Sequence, residues 1–501
     1  MEVLDRTNIL QKHIKYIEHY KKDILYWGLG IENEIYLEFD KKIPFDNKKF
    51  ISNHKKERYS VDYYNNYKKD SKLNIIDRAF SSLINMNPTT ISMPLLMNSF
   101  SLTKTDKNNN SSRLYTKLNE ENPKFNKQLL TEFLFENNSY LKENFDKTYT
   151  YDGDVIEIIT LNFFNTTLND VMDELATNKN NFITNIQKVF KDFNIYSEYG
   201  TIDFMKENYP FCIYLTNLDN VGIFNNGTLH FNITLPTILD KNGNIENQEQ
   251  FISVHKKYIR LIQFMEPLLI TIYGTPDPFS FVESNDTNFV KKYLDYSNIK
   301  SFNHKFSSSS QRCAISRYIG IGTYDTDIMQ KGKIVTCKIE DCKIASESYG
   351  WYYKYYKVCA YNKLNNLGYD INFNKHLNHG VEIRFFDHIS STDKIKEAME
   401  FLIYLGDFSI ESNEFKNPIT DSLWNDCVID SMLYGKKLNP IKNFINCYNE
   451  LFNHKFISSN LSDLYSEIFI FLKRKSQVNK SPFLLSSKTI KINKGIVYID
   501  I

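Results

Sequence analysis

The sequence predicts an α+β fold in which a curved, mainly antiparallel β-sheet carries helices on its convex face. Four short segments alternate between apolar and polar residues, which is typical of strands with one face toward a core and the other toward a cleft or solvent. Longer segments with apolar residues at helical spacing stand between them. The strands of a parallel sheet covered on both faces would instead be continuously apolar, so the alternation favours antiparallel strands.

The first alternating segment runs from Gly28 to Phe39 and has two different faces. One face is almost entirely apolar, whereas the other carries Glu32, Glu34 and Glu38. Like charges spaced two residues apart on one strand face repel each other, so they need a nearby cation or a solvated cleft. Taken alone, this segment is more typical of a solvated edge strand than of a functional site.

Three later segments, 155–160, 228–235 and 380–387, repeat the same design, and the second is expected to end before Pro236. Their polar faces carry Glu157 in the first segment, Thr228, His230, Asn232 and Thr234 in the second, and Glu382 and Arg384 in the third. A structural histidine and a surface ion pair are the alternatives for individual members of this set. If the four strands share one sheet, several carboxylates and one imidazole gather on a single concave face.

Three segments have the periodicity of amphipathic helices, and they cover residues 167–192, 247–273 and 392 to about 410. We expect residues 1–410 to form one catalytic domain with polar insertions near 41–72 and 101–127. Residues 411–501 are predicted to be a mostly helical extension that packs on this domain.

Composition narrows the class of protein. The 501 residues are 42% hydrophobic and carry a net charge of +1, so no overall electrostatic field favours nucleic acid or an anionic membrane. The seven cysteines include no C-x-x-C pair, which predicts reduced thiols. The amino terminus does not have the pattern of a signal peptide, and no long uncharged apolar run is present. We therefore expect a soluble, cytoplasmic protein that is not secreted, with no nucleic-acid or membrane partner.

Carboxylates combined with one imidazole are typical ligands of hard cations such as Mg²⁺ or Mn²⁺, whereas zinc usually takes more His or Cys. Such ions commonly bind the phosphates of a substrate, and arginines then neutralise the charge of a phosphoryl group. Arg312 and Arg317 follow the serine run 307–310 and are candidates for this role, although solvated loop charges are the alternative.

Five short segments, in this order along the chain, resemble motifs of the glutamine synthetase superfamily of carboxylate–amine ligases. They are 30–34 (Gly-Ile-Glu-Asn-Glu, resembling G-x-E-x-E), 152–157 (resembling G-Q-x-E), 226–232 (resembling N-G-x-G-x-H-x-H), 312–317 (resembling R-S-A-S-I-R) and 382–387 (resembling E-x-R-x-x-D). Asn232 stands where glutamine synthetases have a second histidine. The resemblance therefore favours a glutamate–cysteine ligase-like or amidoligase-like member.

This resemblance implies the glutamine synthetase catalytic fold and an ATP-dependent reaction in which an acyl phosphate forms and an amine then displaces phosphate. It implies two or more Mg²⁺ or Mn²⁺ ions, one held by Glu34 and Glu157 and another by Glu32, His230 and Glu382. It also implies that Arg312, Arg317 and Arg384 hold phosphate oxygens or a substrate carboxylate, and it makes Asn232 and Thr234 candidate nucleotide contacts. The substrates would be amino acids, peptides or a protein side chain.

Two other functions stay open at this point. A phosphotransferase of the guanidino-kinase type shares the general fold, but that family relies on arginines around the nucleotide rather than on a histidine and an E-x-E pair. A non-catalytic descendant with a binding or structural role would be favoured if the metal site were incomplete.

Overall fold

The computed structural model describes residues 25–44, 90–95, 130–152, 155–161, 163, 165–205, 228–242, 244–274, 371–373, 380–418, 421–479, 481–484, 489–493 and 496–500. Arg312, Arg317 and the insertion predicted at 101–127 lie outside these residues. Of the insertion predicted at 41–72, only residues 41–44 are described, and they continue a β-strand instead of forming a loop.

The strands of the described residues are β1 (Leu25–Ile35), β2 (Leu37–Pro44), β3 (Thr90–Leu95), β4 (Tyr149–Asp152), β5 (Val155–Ile159), β6 (Ile202–Phe204), β7 (Thr228–Ile238), β8 (Ile371–Phe373), β9 (Val381–Asp387), β10 (Thr489–Asn493) and β11 (Ile496–Asp500). The helices are α1 (Leu130–Asn137), α2 (Ser139–Asn144), α3 (Leu168–Asp192), α4 (Tyr196–Tyr199), α5 (Gln248–Tyr273), α6 (Thr392–Glu411), α7 (Ser422–Tyr434), α8 (Lys442–Phe452) and α9 (Leu461–Asn479).

The main sheet has the strand order β4-β5-β1-β7-β9-β8, and each neighbouring pair is antiparallel. The α+β class and the mainly antiparallel sheet are therefore confirmed, and each of the four segments with a polar face contributes a strand to this one sheet. Strand β1 is an internal strand, paired with β5 on one side and β7 on the other. The alternative of a solvated edge strand for Glu32 and Glu34 is thereby excluded.

The alternating segment 28–39 is two strands rather than the single strand that the sequence predicts. Strand β1 ends at Ile35, and β2 begins at Leu37 in a second sheet of order β3-β2-β6. Between them, the carbonyl of Tyr36 accepts a hydrogen bond from Met205 N at 2.9 Å. Apolar alternation continues unchanged across this point, so it carries no signal of the change of sheet. Glu38 consequently pairs with Asp203 in the second sheet.

Strand β7 also continues beyond its predicted end, through Pro236 to Ile238. Its register against β1 shifts between Gly28 and Tyr26, because β7 has one more residue than β1 in this interval. A bulge of this kind leaves a position without a ladder hydrogen bond, which is where a proline can lie within a strand. The proline thus marks an irregularity in the strand and not its end.

The three predicted helices are confirmed within one residue at each described end and pack against the main sheet. Helix α3 begins with a capping box between Thr167 and Asp170, and Ser391 caps α6. Tyr273 of α5 packs edge-on against Phe386 of β9, with ring centroids 5.7 Å apart. The apolar faces of the strands and the apolar sides of these helices form one continuous core.

The carboxy-terminal helices share this core. Trp424 of α7 donates its indole N–H to the carbonyl of Gln263 in α5 at 2.7 Å. In α6, the buried carboxylate of Asp407 accepts hydrogen bonds from Ser476 of α9 and from Ser481, the latter at 3.0 Å. Strands β10 and β11 form a separate two-stranded sheet. None of the helices in the described ranges combines the length and the apolar character needed to cross a bilayer.

Candidate metal centre

Cross-strand register brings polar side chains from three strands onto one face of the main sheet. Glu32 of β1 lies opposite His230 of β7, and Asn232 of β7 lies opposite Glu382 of β9. Directly opposed residues of antiparallel strands point to the same face. The sequence prediction that these residues share a face is therefore confirmed.

Glu32, His230 and Glu382 form a compact group of possible metal ligands. One ligand atom from each residue lies within 4.8 Å of the other two. His230 Nδ1 is 3.1 Å from Glu32 Oε2 and 3.7 Å from Glu382 Oε1. Two carboxylate oxygens and one imidazole nitrogen form a donor set that suits a hard divalent cation with open positions for water or phosphate.

The environment of His230 favours the neutral form of its ring. Burial, together with the nearby Arg384 guanidinium, lowers the pKa of His230 below its ordinary value, although Glu34 and Glu32 oppose this shift. A neutral ring keeps one nitrogen lone pair, which can coordinate a metal ion. The carboxylates next to this ring add negative charge in a region that is largely shielded from water.

Arg384 makes an ion pair with Glu382, with 2.9 Å between an Nη atom of Arg384 and Glu382 Oε1. The side chains of Arg384 and Glu382 are only 14% and 2% exposed, respectively, so this is not the surface pair that the sequence left as an alternative. The guanidinium compensates part of the negative charge at the edge of the three-ligand group.

Asn232 and Thr234 have different surroundings on the same face of β7. Asn232 Nδ2 donates to Glu32 Oε1 at 3.2 Å, and its buried Oδ1 has no hydrogen-bond partner among the residues that the structure describes. Thr234 Oγ1 accepts a hydrogen bond from Gly380 N at 2.8 Å. Asn232 therefore contacts the group directly, whereas Thr234 connects β7 to the start of β9.

Glu34 and Glu157, the ligand pair implied for another ion, lie opposite each other on β1 and β5. Glu34 is buried, and its Oε2 accepts a hydrogen bond from Thr228 Oγ1 at 2.5 Å. In the described part of the chain, no group of three metal ligands includes either carboxylate. Glu34 nevertheless adjoins the group formed by Glu32, His230 and Glu382, because its Oε1 lies 3.5 Å from His230 Nε2.

Phe163 is a neighbour of the site that the sequence did not indicate. A Cβ atom added to Gly28 would lie 2.0 Å from the Phe163 ring, and one added to Gly30 would lie 2.8 Å from it. The two glycines therefore make room for an aromatic ring on the face that carries Glu32 and Glu34. Gly28 and Gly30 continue the two-residue spacing of Glu32 and Glu34 toward the amino terminus. Glycines at these positions of a strand are the signal that could have indicated the close approach of another group to the backbone.

Asp387 reaches the polar face because of a bulge in β9. Phe231 pairs with Ile383, but Leu229 pairs with Phe386, so β9 has one additional residue between these pairs. The bulge places buried Asp387 opposite Thr228, on the polar face of the main sheet. Strict alternation from Glu382 would instead place Asp387 on the apolar face. Alternation alone contains no information about this insertion.

Comparison with known proteins gives one relative that covers almost the whole chain. None of the protein-family models compared with the sequence matches it, and no solved structure matches it. The uncharacterized protein R704 of Acanthamoeba polyphaga mimivirus is 34% identical over 502 aligned residues, which cover 98% of this chain and 82% of the relative. Identity at this level over this length shows common descent, and the chain therefore belongs to the same family as this mimivirus protein.

Proposed function

We propose that this protein is an ATP- and Mg²⁺-dependent carboxylate–amine ligase of the glutamate–cysteine ligase-like or amidoligase-like type, built on a sheet like that of glutamine synthetase. The observation that carries the proposal is the group formed by Glu32, His230 and Glu382. These are the residues to which the resemblance assigns one metal ion, and they come from three neighbouring strands.

The proposed cation would be held by these three residues, and when bound it would neutralise the phosphate oxygens of ATP. A neutral histidine and two carboxylates fit Mg²⁺ or Mn²⁺ better than zinc. A further ion would take Glu34 and Glu157. These assignments rest on the chemistry of the donor atoms and on the resemblance.

In the proposed reaction, a carboxylate oxygen of the substrate attacks the γ-phosphorus of ATP, and the bond from that phosphorus to the ADP oxygen breaks. An amine nitrogen then attacks the acyl carbon, and the bond from that carbon to the phosphate oxygen breaks. Arg384 would orient a phosphate or the substrate carboxylate. Arg312, Arg317, Asn232 and Thr234 are the proposed nucleotide contacts.

The proposed substrates are an amino acid or peptide carboxylate and an amine, with a protein side chain as a further candidate. The proposed location is the cytoplasm. Cys427 of α7 and Cys447 of α8 are free and buried, which is compatible with a reducing compartment.

The decisive experiment measures ADP release with Mg²⁺ across a panel of carboxylate and amine pairs, using carboxylates labelled with ¹⁸O. We expect ADP release that requires both substrates and transfer of one ¹⁸O atom into the inorganic phosphate, because an acyl phosphate carries the carboxylate oxygen to phosphorus. Glu382→Gln should abolish this release. Glu397→Gln is the matched control, since Glu397 lies on α6 and pairs with exposed Lys394.

The other functions give different results in the same assay. A phosphotransferase would release ADP with a single acceptor and would leave a phosphorylated product without inorganic phosphate. A non-catalytic protein would release no ADP with any pair, and either outcome would contradict the proposed ligase.

A further inference from the structure

We propose that a cleft on the helix side of the main sheet binds a small organic carboxylate, and that the ammonium group of Lys179 is its cationic contact. The cleft has a volume of about 270 Å³ and lies where the end of β1, helix α3, the end of β6 and the start of α6 meet. It shares no residue with the candidate metal centre, so the inference stands independently of the proposed ligase.

The cleft and the candidate metal centre lie on opposite faces of the main sheet. Asn33 and Ile35 alternate with the glutamates of β1, and successive side chains of a strand point to opposite faces. Ile35 lines the cleft, and Asn33 Oδ1 accepts a hydrogen bond from Lys179 Nζ at 3.3 Å. A ligand in the cleft would therefore not compete with a cation held on the other face.

Lys179 is a half-buried lysine whose charge is only weakly compensated. Its Nζ donates to the neutral amide oxygen of Asn33 and lies 4.9 Å from the centre of the Phe204 ring. None of the described carboxylates lies within ion-pair distance of Nζ, although exposed Asp203 acts on it from further away. Burial lowers the pKa of Lys179 from 10.5 to about 8, and Asp203 opposes this shift. An anion beside Nζ would stabilise the charged form of the amine.

Two buried side chains next to Lys179 carry further donors. Asn33 is fully buried, and its Nδ2 has no hydrogen-bond partner among the described residues. His388 is 5% exposed, and neither ring nitrogen makes a hydrogen bond of good geometry within the same part of the chain, although the backbone of Met205 lies close to the ring. Burial, together with Lys179, lowers the pKa of His388 to about 3, so the ring is neutral and carries one N–H donor. Buried donors without acceptors are costly, which favours a ligand that supplies oxygen acceptors.

The start of α6 adds donors at the rim of the cleft. Ser390 and Ser391 both line it, and Ser391 caps the helix by accepting a hydrogen bond from Lys394 N at 3.4 Å. The first N–H groups of a helix have no acceptors within the helix, and they favour a negative charge nearby. The helix terminus therefore acts in the same direction as the lysine.

The charge and the apolar wall of the cleft define the class of ligand. One ammonium group among neutral donors suits a singly charged carboxylate better than a phosphate dianion, and Asp203 at the rim opposes a second negative charge. The remaining lining residues, Ile35, Phe204 and Met205, offer an apolar surface to a hydrocarbon group. A carboxylate with an aliphatic or aromatic body fits both features.

The test measures the affinities of hexanoate and phenylacetate for the full-length chain by ligand-observed NMR titration. Hexanol, which lacks the carboxylate, and inorganic phosphate are the comparison probes. We expect saturable binding of both carboxylates, weaker binding of phosphate and no binding of hexanol over the same range of concentrations.

Lys179→Met keeps the length of the side chain and removes its charge, so it should weaken carboxylate binding about 10-fold or more through the loss of a charge-assisted hydrogen bond. Lys188→Met is the matched control, because Lys188 is an exposed lysine of the same helix that does not line the cleft. It should bind both carboxylates as wild type does. Ser390→Asp adds a negative charge at an exposed position of the lining and should also weaken binding, which keeps the proposal testable if Lys179→Met fails to fold.

The inference is overturned if neither carboxylate binds saturably to the wild-type protein. Wild-type affinity in folded Lys179→Met or in Ser390→Asp would overturn it as well, because the carboxylate would then be bound elsewhere. Tighter binding of phosphate than of either carboxylate would contradict the class of ligand. Failure of the proposed ligase is a separate result, since none of these measurements uses ATP.

Discussion

Glu32 and His230 lie directly opposite each other on β1 and β7, with Glu32 Oε2 3.1 Å from His230 Nδ1. The two residues are 198 positions apart in the chain, and the pairing of two internal strands brings them together. Glu382 approaches the same nitrogen from β9.

His230→Ala should weaken Mn²⁺ binding about 10-fold or more and abolish Mg²⁺-dependent ATP turnover, because it removes the nitrogen donor of the proposed site. Titration of Mn²⁺ followed by calorimetry measures the affinity, and ADP release measures turnover. His454→Ala serves as the control, since His454 is an exposed residue just after α8. Wild-type Mn²⁺ affinity in His230→Ala would be inconsistent with the proposed cation site.

Gly28→Ala should destabilise the protein by about 1–3 kcal/mol, because the new methyl group would overlap the Phe163 ring at 2.0 Å. Urea unfolding measures the change in the free energy of unfolding. In a Phe163→Ala background the same glycine change should be less destabilising, since the clashing ring is absent. Equal effects in the two backgrounds would show that Phe163 does not limit the size of residue 28.

Arg384→Ala should destabilise the protein by about 3 kcal/mol, because it leaves the carboxylate of Glu382 buried without its guanidinium partner. The double variant Glu382→Gln with Arg384→Ala should recover part of this loss, since it also removes the charge. Urea unfolding of the two single variants and the double variant measures the coupling. Strictly additive effects would mean that the ion pair contributes nothing to stability.

Asp407 should make stability depend on pH, because burial raises its pKa from the ordinary 3.8 to about 7 despite hydrogen bonds from Ser476 and Ser481. The folded state then binds the proton more tightly than the unfolded state between these two values. The free energy of unfolding should therefore fall as pH rises from about 4 to about 7, by on the order of a few kcal/mol.

Asp407→Asn should remove this part of the pH dependence, so the difference in urea midpoint between wild type and variant should change steadily over the same interval. Asp393→Asn, at the exposed first turn of the same helix, is the control. A constant difference between wild type and Asp407→Asn from pH 4 to pH 7 would contradict the raised pKa.

Local physical chemistry made much of this protein predictable from its sequence. Alternation with a period of two assigned Glu32, His230 and Glu382 to the polar faces of their strands, and helical periodicity located the bodies of α3, α5 and α6. Both signals come from the geometry of a single element, so they need no knowledge of its partners. The roles of Arg312 and Arg317 stay predictions, because both residues lie outside the part of the chain that the structure describes.

Only the tertiary structure decided how these faces combine. The division of the first strand at Tyr36, the bulge that brings Asp387 to the polar face and the Phe163 ring over Gly28 all depend on register or on contacts between distant segments. The alternation of apolar and polar residues continues through the division at Tyr36. It contains no information about the bulge in β9 or about the position of the Phe163 ring. The Thr228 hydroxyl between Glu34 and His230 likewise exists only because β1 pairs with β7. The sequence by itself determined that Glu32, His230 and Glu382 lie on the polar faces of their strands, whereas strand pairing decided which of these side chains touch.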